Sequence, residues 1–263
     1  MQVSIGCTGW GYDGWSGQFY PKNLKPSEFL RFYSSVFDIT EINSTFYKIP
    51  DESITKKWDA QTPPHFRFTA KLPQVITHQN RLQNITSHME RFLSALKPLR
   101  SKYLFTVVQL PPSLTFYDAR SHLETVGSYL VRYVIEGRHK SWFSNDAIKY
   151  LSDRNICLVW NDVVGVDNTL PITSDFVYLR IIGDRSIPES KFGFVHRDRI
   201  DDLKLWKKKV MVHENNLSFA AILANNHYEG FGVATASKLR LLFGLDDVPW
   251  HGRYQKKLAE FQK

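Results

Sequence analysis

The sequence predicts an α/β fold, a single TIM-like (β/α)8 barrel. Three observations carry that prediction. Eight short runs rich in β-branched and aromatic residues recur along the chain, their starts about 31 residues apart, the length of a βα unit. Several of these runs are almost continuously apolar, as parallel strands covered on both faces must be. Helical periodicity fills most of the gaps between them. An open doubly wound sheet is disfavoured, because no GxGxxG-type turn follows the first run and no two halves repeat.

Taken in order, the first strand is read at 3–7. A glycine-rich loop follows it, and a helix over 26–36 opens on Pro26 and Ser27 and carries Phe29, Leu30, Phe32, Tyr33 and Val36 on one side. The second strand is 38–43 and the third 66–72. A helix over 86–96 spaces Met89, Phe92, Leu93 and Leu96 at helical intervals. Strand four is 103–110, and strand five is 131–137. A helix over 141–151 follows, with Ser141 or Ser144 as N-cap. Strand six is 156–161. The gap from 161 to 176 holds Gly165, Asp167, Asn168 and Pro171 and shows no helical pattern, so one helix is missing or degenerate between strands six and seven. Strand seven is 176–182, a helix covers 199–214, strand eight is 217–225, and a last helix covers 233–243. No low-complexity linker divides the chain, so 1–263 reads as one domain, with 253–263 as a basic C-terminal tail.

Composition bounds the function classes. The 263 residues are 43% hydrophobic and 23% charged, which excludes a disordered chain. Lys and Arg number 34 against 26 Asp and Glu, a formal charge of +8 that favours anionic partners. Two cysteines, Cys7 and Cys157, cannot build a disulfide framework, and both sit in strand-like runs as buried thiols do. The N-terminus lacks a basic segment followed by an apolar one, and no apolar run approaches the ~20 residues of a membrane span. A soluble cytoplasmic protein is expected, with no membrane association and no indicated protein partner.

In a TIM barrel, chemistry collects where strands end and βα loops begin. Every one of the eight ends carries a group that is costly to bury unpaired. In order these are Thr8, Glu41 with Asn43, Lys71, Gln109, Glu136 with Arg138, Asn161 with Asp162, Arg180, and Asn225 with Asn226. Residues 6–17 add five of the 14 glycines around Trp10, Tyr12 and Trp15. That loop reads either as a ligand-facing wall or as a tightly turned cap on the barrel mouth.

The segments GCTGWGYDGWSGQFYP, TEINSTFYKIP, FTAKLP, VVQLPPS, EGRHKSW, VWND, YLRIIG and ANNHYEGFG, in this order, resemble the signature blocks of domain-of-unknown-function family 72, the YecE-like family. The resemblance runs over nearly the whole chain and implies a TIM-like barrel without an established activity. It also implies a pocket lined by Thr8, Trp10, Tyr12, Trp15, Glu41, Asn43, Phe46, Tyr47, Lys71, Gln109, Glu136, Arg138, Trp142, Asn225 and Asn226. Where the family usually reads RxHG after strand seven, this chain has Arg180-Ile181-Ile182-Gly183, so Ile182 stands in place of the histidine. The Trp160-Asn161-Asp162 tip matches only loosely.

These residues admit several chemistries. Glu41 and Glu136 serve as an acid/base pair, as ligands of a divalent metal with Asp162 and one of His78, His139 or His227, or as partners of nearby cations: Glu136 with Arg138 or Arg180, Glu41 with Lys71. Lys71, if desolvated, is a nucleophile or a phosphate anchor. Lys71, Arg138 and Arg180 make a positive mouth, and Trp10, Tyr12, Trp15 and Trp142 offer stacking surfaces for a base or sugar. Gly230-Phe231-Gly232 is a candidate phosphate seat at a helix N-terminus. No Walker or Rossmann motif is present, so no organic cofactor is indicated.

The leading expectation is a hydrolase acting on a phosphate-bearing substrate, with nucleic acid as one such substrate. Glu41, Glu136 and Lys71 would carry the chemistry. Thr8, Trp10, Tyr12, Trp15, Asn43, Phe46, Tyr47, Gln109, Arg138, Trp142, Arg180, Asn225 and Asn226 would bind. A glycosidase-like barrel using Glu41 and Glu136 and a non-catalytic nucleic-acid-binding barrel are the alternatives.

Overall fold

Side chains along the extended runs alternate between two apolar environments, and this alternation builds the barrel. The computed structural model describes residues 1–130, 132–162 and 170–246. Among the described residues nine parallel strands are present: β1 (Gln2–Cys7), β2 (Ile39–Ile42), β3 (Arg67–Lys71), β4 (Tyr103–Gln109), β5 (Tyr133–Glu136), β6 (Cys157–Leu158), β7 (Trp160–Asn161), β8 (Phe176–Ile181) and β9 (Phe219–Ala224). Their order is β6-β5-β4-β3-β2-β1-β9-β8-β7. The two ends of that order, β6 and β7, are halves of one run broken only at Val159, so the sheet closes on itself and the predicted eight strands are recovered.

Residues on one face of each strand, such as Ile5, Phe68, Val108, Ile135, Leu158, Leu179 and Ile222, pack outward against the helices. Residues on the other face, Ile39, Phe105, Val107, Val134, Cys157, Val159, Tyr178, Ala221 and Leu223, fill the interior. Such double coverage is why the strands read as continuous apolar runs.

The outer layer holds α1 (Phe29–Tyr33), α2 (Glu52–Gln61), α3 (Thr86–Leu96), α4 (Phe116–Tyr129), α5 (Asn145–Ser152), α6 (Ile200–Met211), α7 (Asn226–Glu229) and α8 (Gly232–Leu242). The helix expected over 26–36 is shorter, because a 3-10 turn takes up Pro26–Glu28. Ser144 is the N-cap of α5, its Oγ accepting from Ala147 N. Three of the described helices, α2, α4 and the one-turn α7, went unpredicted. α2 is mostly polar, with Thr55 alone buried, whereas α4 buries Phe116, Ala119, Leu123 and Val126 at helical spacing. Leu170–Asp175 form no helix, while 163–169 of the same gap and the basic tail 253–263 lie outside the described residues.

Candidate functional site

Side chains alternate strictly along a strand. Two residues beyond the interior positions Ile39, Val107, Val134, Val159, Tyr178 and Leu223 come Glu41, Gln109, Glu136, Asn161, Arg180 and Asn225. Two residues beyond Thr69, whose Oγ1 meets the interior Tyr178 hydroxyl at 2.7 Å, comes Lys71. The polar strand ends are therefore one inward-facing layer on top of an apolar one.

Glu41 and Glu136 are fully buried, and Arg180 lies between them. Arg180 Nη2 and Nε donate to Glu41 Oε1 and Oε2 at 2.7 and 3.0 Å, and its Nη1 donates to Glu136 Oε2. Tyr178 OH donates to Glu41 Oε2 at 2.9 Å. Arg138 grips Glu136 Oε1 through Nε, at 2.7 Å, and Nη2. Burial alone would raise the Glu136 carboxyl, but the charges of Arg180 and Arg138 outweigh it and bring the group down to about 2.

Lys71 behaves differently. Its Nζ donates to Gln109 Oε1 at 2.9 Å and lies 4.0 Å from the centre of the Phe46 ring. Gln109 Nε2 in turn donates to Glu136 Oε1 at 3.0 Å. Among the described residues Lys71 makes no salt bridge, and the expected pairing with Glu41 is not formed, because the Arg180 fork occupies that carboxylate. Burial, with the neighbouring charge of Arg180 next, lowers the Lys71 ammonium to about 8. A single π-helical turn, Val75–Gln79, follows β3 and presents His78 edge-on to Phe46 at 5.1 Å. Burial, reinforced by the charges of Lys71 and Arg138, lowers the His78 imidazole.

The rim is tied together from three strands. Asn225 Nδ2 donates to Thr8 Oγ1 at 2.8 Å, while Asn43 Nδ2 and Tyr12 OH both donate to Thr8 O. Asn225 also caps α7. Trp10 is half-buried against Trp58, and Tyr47 is 76% exposed beside Phe46. The loop after β8 crosses the loop after β1 glycine on glycine: Gly193 has φ +101°, and a Cβ there would meet Gly14 O at 1.8 Å.

Several expectations need correction. Trp15 and Trp142 have no accessible surface and cannot stack on a ligand. Trp15 sits among Tyr12, Phe19, Tyr20 and Tyr33 with its Nε1 donating to Asn226 Oδ1, and Trp142 Nε1 donates to Leu114 O. Asn226 is likewise buried, its Oδ1 holding Trp15 and Gly232 N. The Gly232 amide is thereby used internally, so the 230–232 turn is not an open phosphate seat.

The metal set is not assembled either. Among the described residues no three His, Cys, Asp or Glu side chains come together as ligands. The two glutamates face guanidiniums, Asp162 accepts from the amides of Ile182 and Gly183, His139 accepts from Ser141 N, and His227 meets Ile187 O. Cys7 and Cys157 are buried free thiols, and burial pushes Cys157 up to about 12. Ile182 is buried at the mouth, where it supplies no acid, base or ligand. Sequence reading missed Tyr178 and Thr69. The period of two that links Tyr178 to Arg180 is the signal that locates them.

Fold and site together define a TIM-like α/β barrel whose C-terminal strand ends enclose a buried carboxylate–guanidinium cluster flanked by a carboxylate-free lysine. The chain belongs to the family described as protein of unknown function DUF72, whose model matches residues 4–257. It is 30% identical over 158 residues to the UPF0759 protein YunF of Bacillus subtilis, covering 54% of this chain and 52% of that protein. It is 33% identical over 82 residues to the UPF0759 protein YecE of Escherichia coli, covering 31% and 30%. The matched stretches thus span about half or less of these relatives. A DUF72 family protein of Thermotoga maritima superposes with a TM-score of 0.79 at 26% identity, over 93% of this chain and 100% of that one. A second, from Enterococcus faecalis, gives 0.74 at 18% over 95% and 98%, a likeness of fold. No described helix is long and apolar enough to cross a membrane.

Proposed function

We propose that the barrel mouth binds a phosphate-bearing substrate and hydrolyses it, with Lys71 as proton acceptor. The observation that carries this reading is the charge balance of the inner layer. Arg180 and Arg138 are matched by Glu41 and Glu136, and Lys71 is left as a surplus cation with its ammonium near 8. An anion supplies the missing charge. Arg138 Nη1 has no partner among the described residues and is free for a phosphoryl oxygen.

A group near 8 is a workable base at neutral pH. Water attacks phosphorus, the Lys71 amine takes its proton, the P–O ester bond breaks with its electron pair leaving on the alcohol oxygen, and the resulting ammonium returns a proton to that oxygen. Tyr47 and the exposed edges of Trp10 and Tyr12 flank the mouth as surfaces for a base or sugar. A glycosidase pair finds less support: both carboxylates are fully buried and gripped by the Arg180 guanidinium, so neither is presented to a glycosidic oxygen.

The test uses bis-p-nitrophenyl phosphate, p-nitrophenyl phosphate and a labelled single-stranded oligonucleotide. Turnover is expected to fall about a hundredfold or more in Lys71→Met, with KM raised in Arg138→Ala. Oligonucleotide binding that weakens with salt but gives no cleavage would replace hydrolysis with a gripping role. Absence of both turnover and binding would overturn the proposal.

A further inference from the structure

At the opposite, N-terminal end of the barrel the inward layers are not filled. Barrel interiors are usually filled by layers in which bulky branched side chains dominate. Here β1 turns Gln2 and Ser4 inward, and a cavity of about 680 Å³ remains. That volume lies in the range of small-molecule sites. Its inner end is aromatic: Phe105 and Phe176 stack at 4.6 Å, Phe219 lies 6.2 Å from Phe105, and Phe176 and Phe219 stay partly exposed.

Its outer wall carries Arg67, Arg132 and Arg154, with His65 beside them. Two carboxylates also line it, and neither neutralises these arginines. Asp38 is paired with Arg240, and Asp175 accepts from Asn155 Nδ2 and Ser218 Oγ. Arg67 Nη1 donates only to the carbonyls of Pro64 and Phe66, which leave its charge uncompensated. Arg132 has no side-chain partner among the described residues, and Arg154 is shared between the Tyr150 ring and Glu124 at 3.7 Å. Setting Asp175 and Glu124 against the three arginines still leaves a cationic excess over an aromatic base.

We propose that this cavity is a second binding site, for a small amphipathic anion whose flat apolar body enters toward Phe176 and Phe219 while its acid group meets Arg67 and Arg132. The site lies at the other end of the barrel from Lys71 and stands independently of the proposed hydrolysis.

The probe is 8-anilinonaphthalene-1-sulfonate, an aromatic sulfonate whose fluorescence rises on leaving water. Native protein is expected to bind one equivalent saturably, and Lys71→Met to bind it equally. Arg132→Glu, at an exposed side chain, is expected to bind about tenfold or more weakly, and Ser4→Leu to lose the site by filling it. Circular dichroism checks the fold of each variant; should Ser4→Leu not fold, Arg67→Glu takes its place, with the same loss expected. No saturable binding by native protein, or unchanged binding in the arginine variants, would overturn the proposal.

Discussion

Replacing Arg180 with Met should convert the best-compensated part of this barrel into its worst. Glu41 and Glu136 have no accessible surface, and Arg180 is the one cation paired with Glu41 among the described residues. Methionine fills similar space but leaves Glu41 with only the Tyr178 hydroxyl, and Glu136 with Arg138 and Gln109. Breaking a buried pair from one side costs about 3–5 kcal/mol, or about 10 °C in Tm for a chain of this size. The pH dependence should invert as well. In the native protein Glu136 sits at about 2, below its ordinary 4.5, so its contribution is complete above about pH 4.5 and is lost as pH falls toward 2. In Arg180→Met the buried Glu41 loses the one guanidinium paired with it, and burial without a compensating charge disfavours the ionised form. The folded variant then binds more protons than the unfolded chain, so its deficit must shrink as the pH falls. Urea unfolding at about pH 7.5 and about pH 5 measures both effects. An unchanged midpoint at pH 7.5, or a deficit of the same size at pH 5, would refute the view that Arg180 is held in place by charge compensation. Adding Glu41→Gln should recover part of the loss.

Three further outcomes are expected. With Lys71 near 8, any turnover that needs its neutral amine should rise with pH and level off above about 8, and Lys71→Met should abolish that limb of the profile. Trp15→Ala should lower stability by about 3–5 kcal/mol in urea unfolding while substrate affinity per folded molecule is unchanged, since the ring faces the core. Gly193→Ala should cost a few kcal/mol, because it combines a positive φ with a collision against Gly14 O, and the loss should appear as earlier proteolysis of the 184–199 loop.

The barrel was legible because its strands are covered on both faces, which leaves each as an apolar run ended by one polar residue. Those endings named the inner layer, from Glu41 around to Asn225, without knowledge of any contact. The pairings within the layer were not legible. Arg180 meets Glu41 from 139 positions away and Glu136 from 44, and nothing local to Lys71 distinguishes Gln109 from Glu41 as its partner. The aromatics of the first loop failed for another reason. A glycine-and-aromatic loop looks alike whether its rings face a ligand or a core, and long-range contacts such as the Trp15–Asn226 hydrogen bond, spanning 211 residues, separate Trp15 from the exposed members. The helix α2 was obscured by its polar surface, whereas α4 carries a readable signal in Phe116, Ala119, Leu123 and Val126, spaced as on one helix face.

The run 157–161 joins the first and last edges of the sheet, and it does so sparingly. It pairs two residues with β5 and two with β8, where β1 matches six in β9 and one in β2. Glu136 and Arg180 belong to the strands on either side of it, so their ion pair spans this thin closure from inside. That seam is therefore fastened from inside by the same side chains that line the mouth. Spreading the strands there would part Arg180 from Glu136 and admit water to both carboxylates in one event. Amide exchange at 157–161 would report that event, and anything bound across Arg138 and Lys71 would slow it.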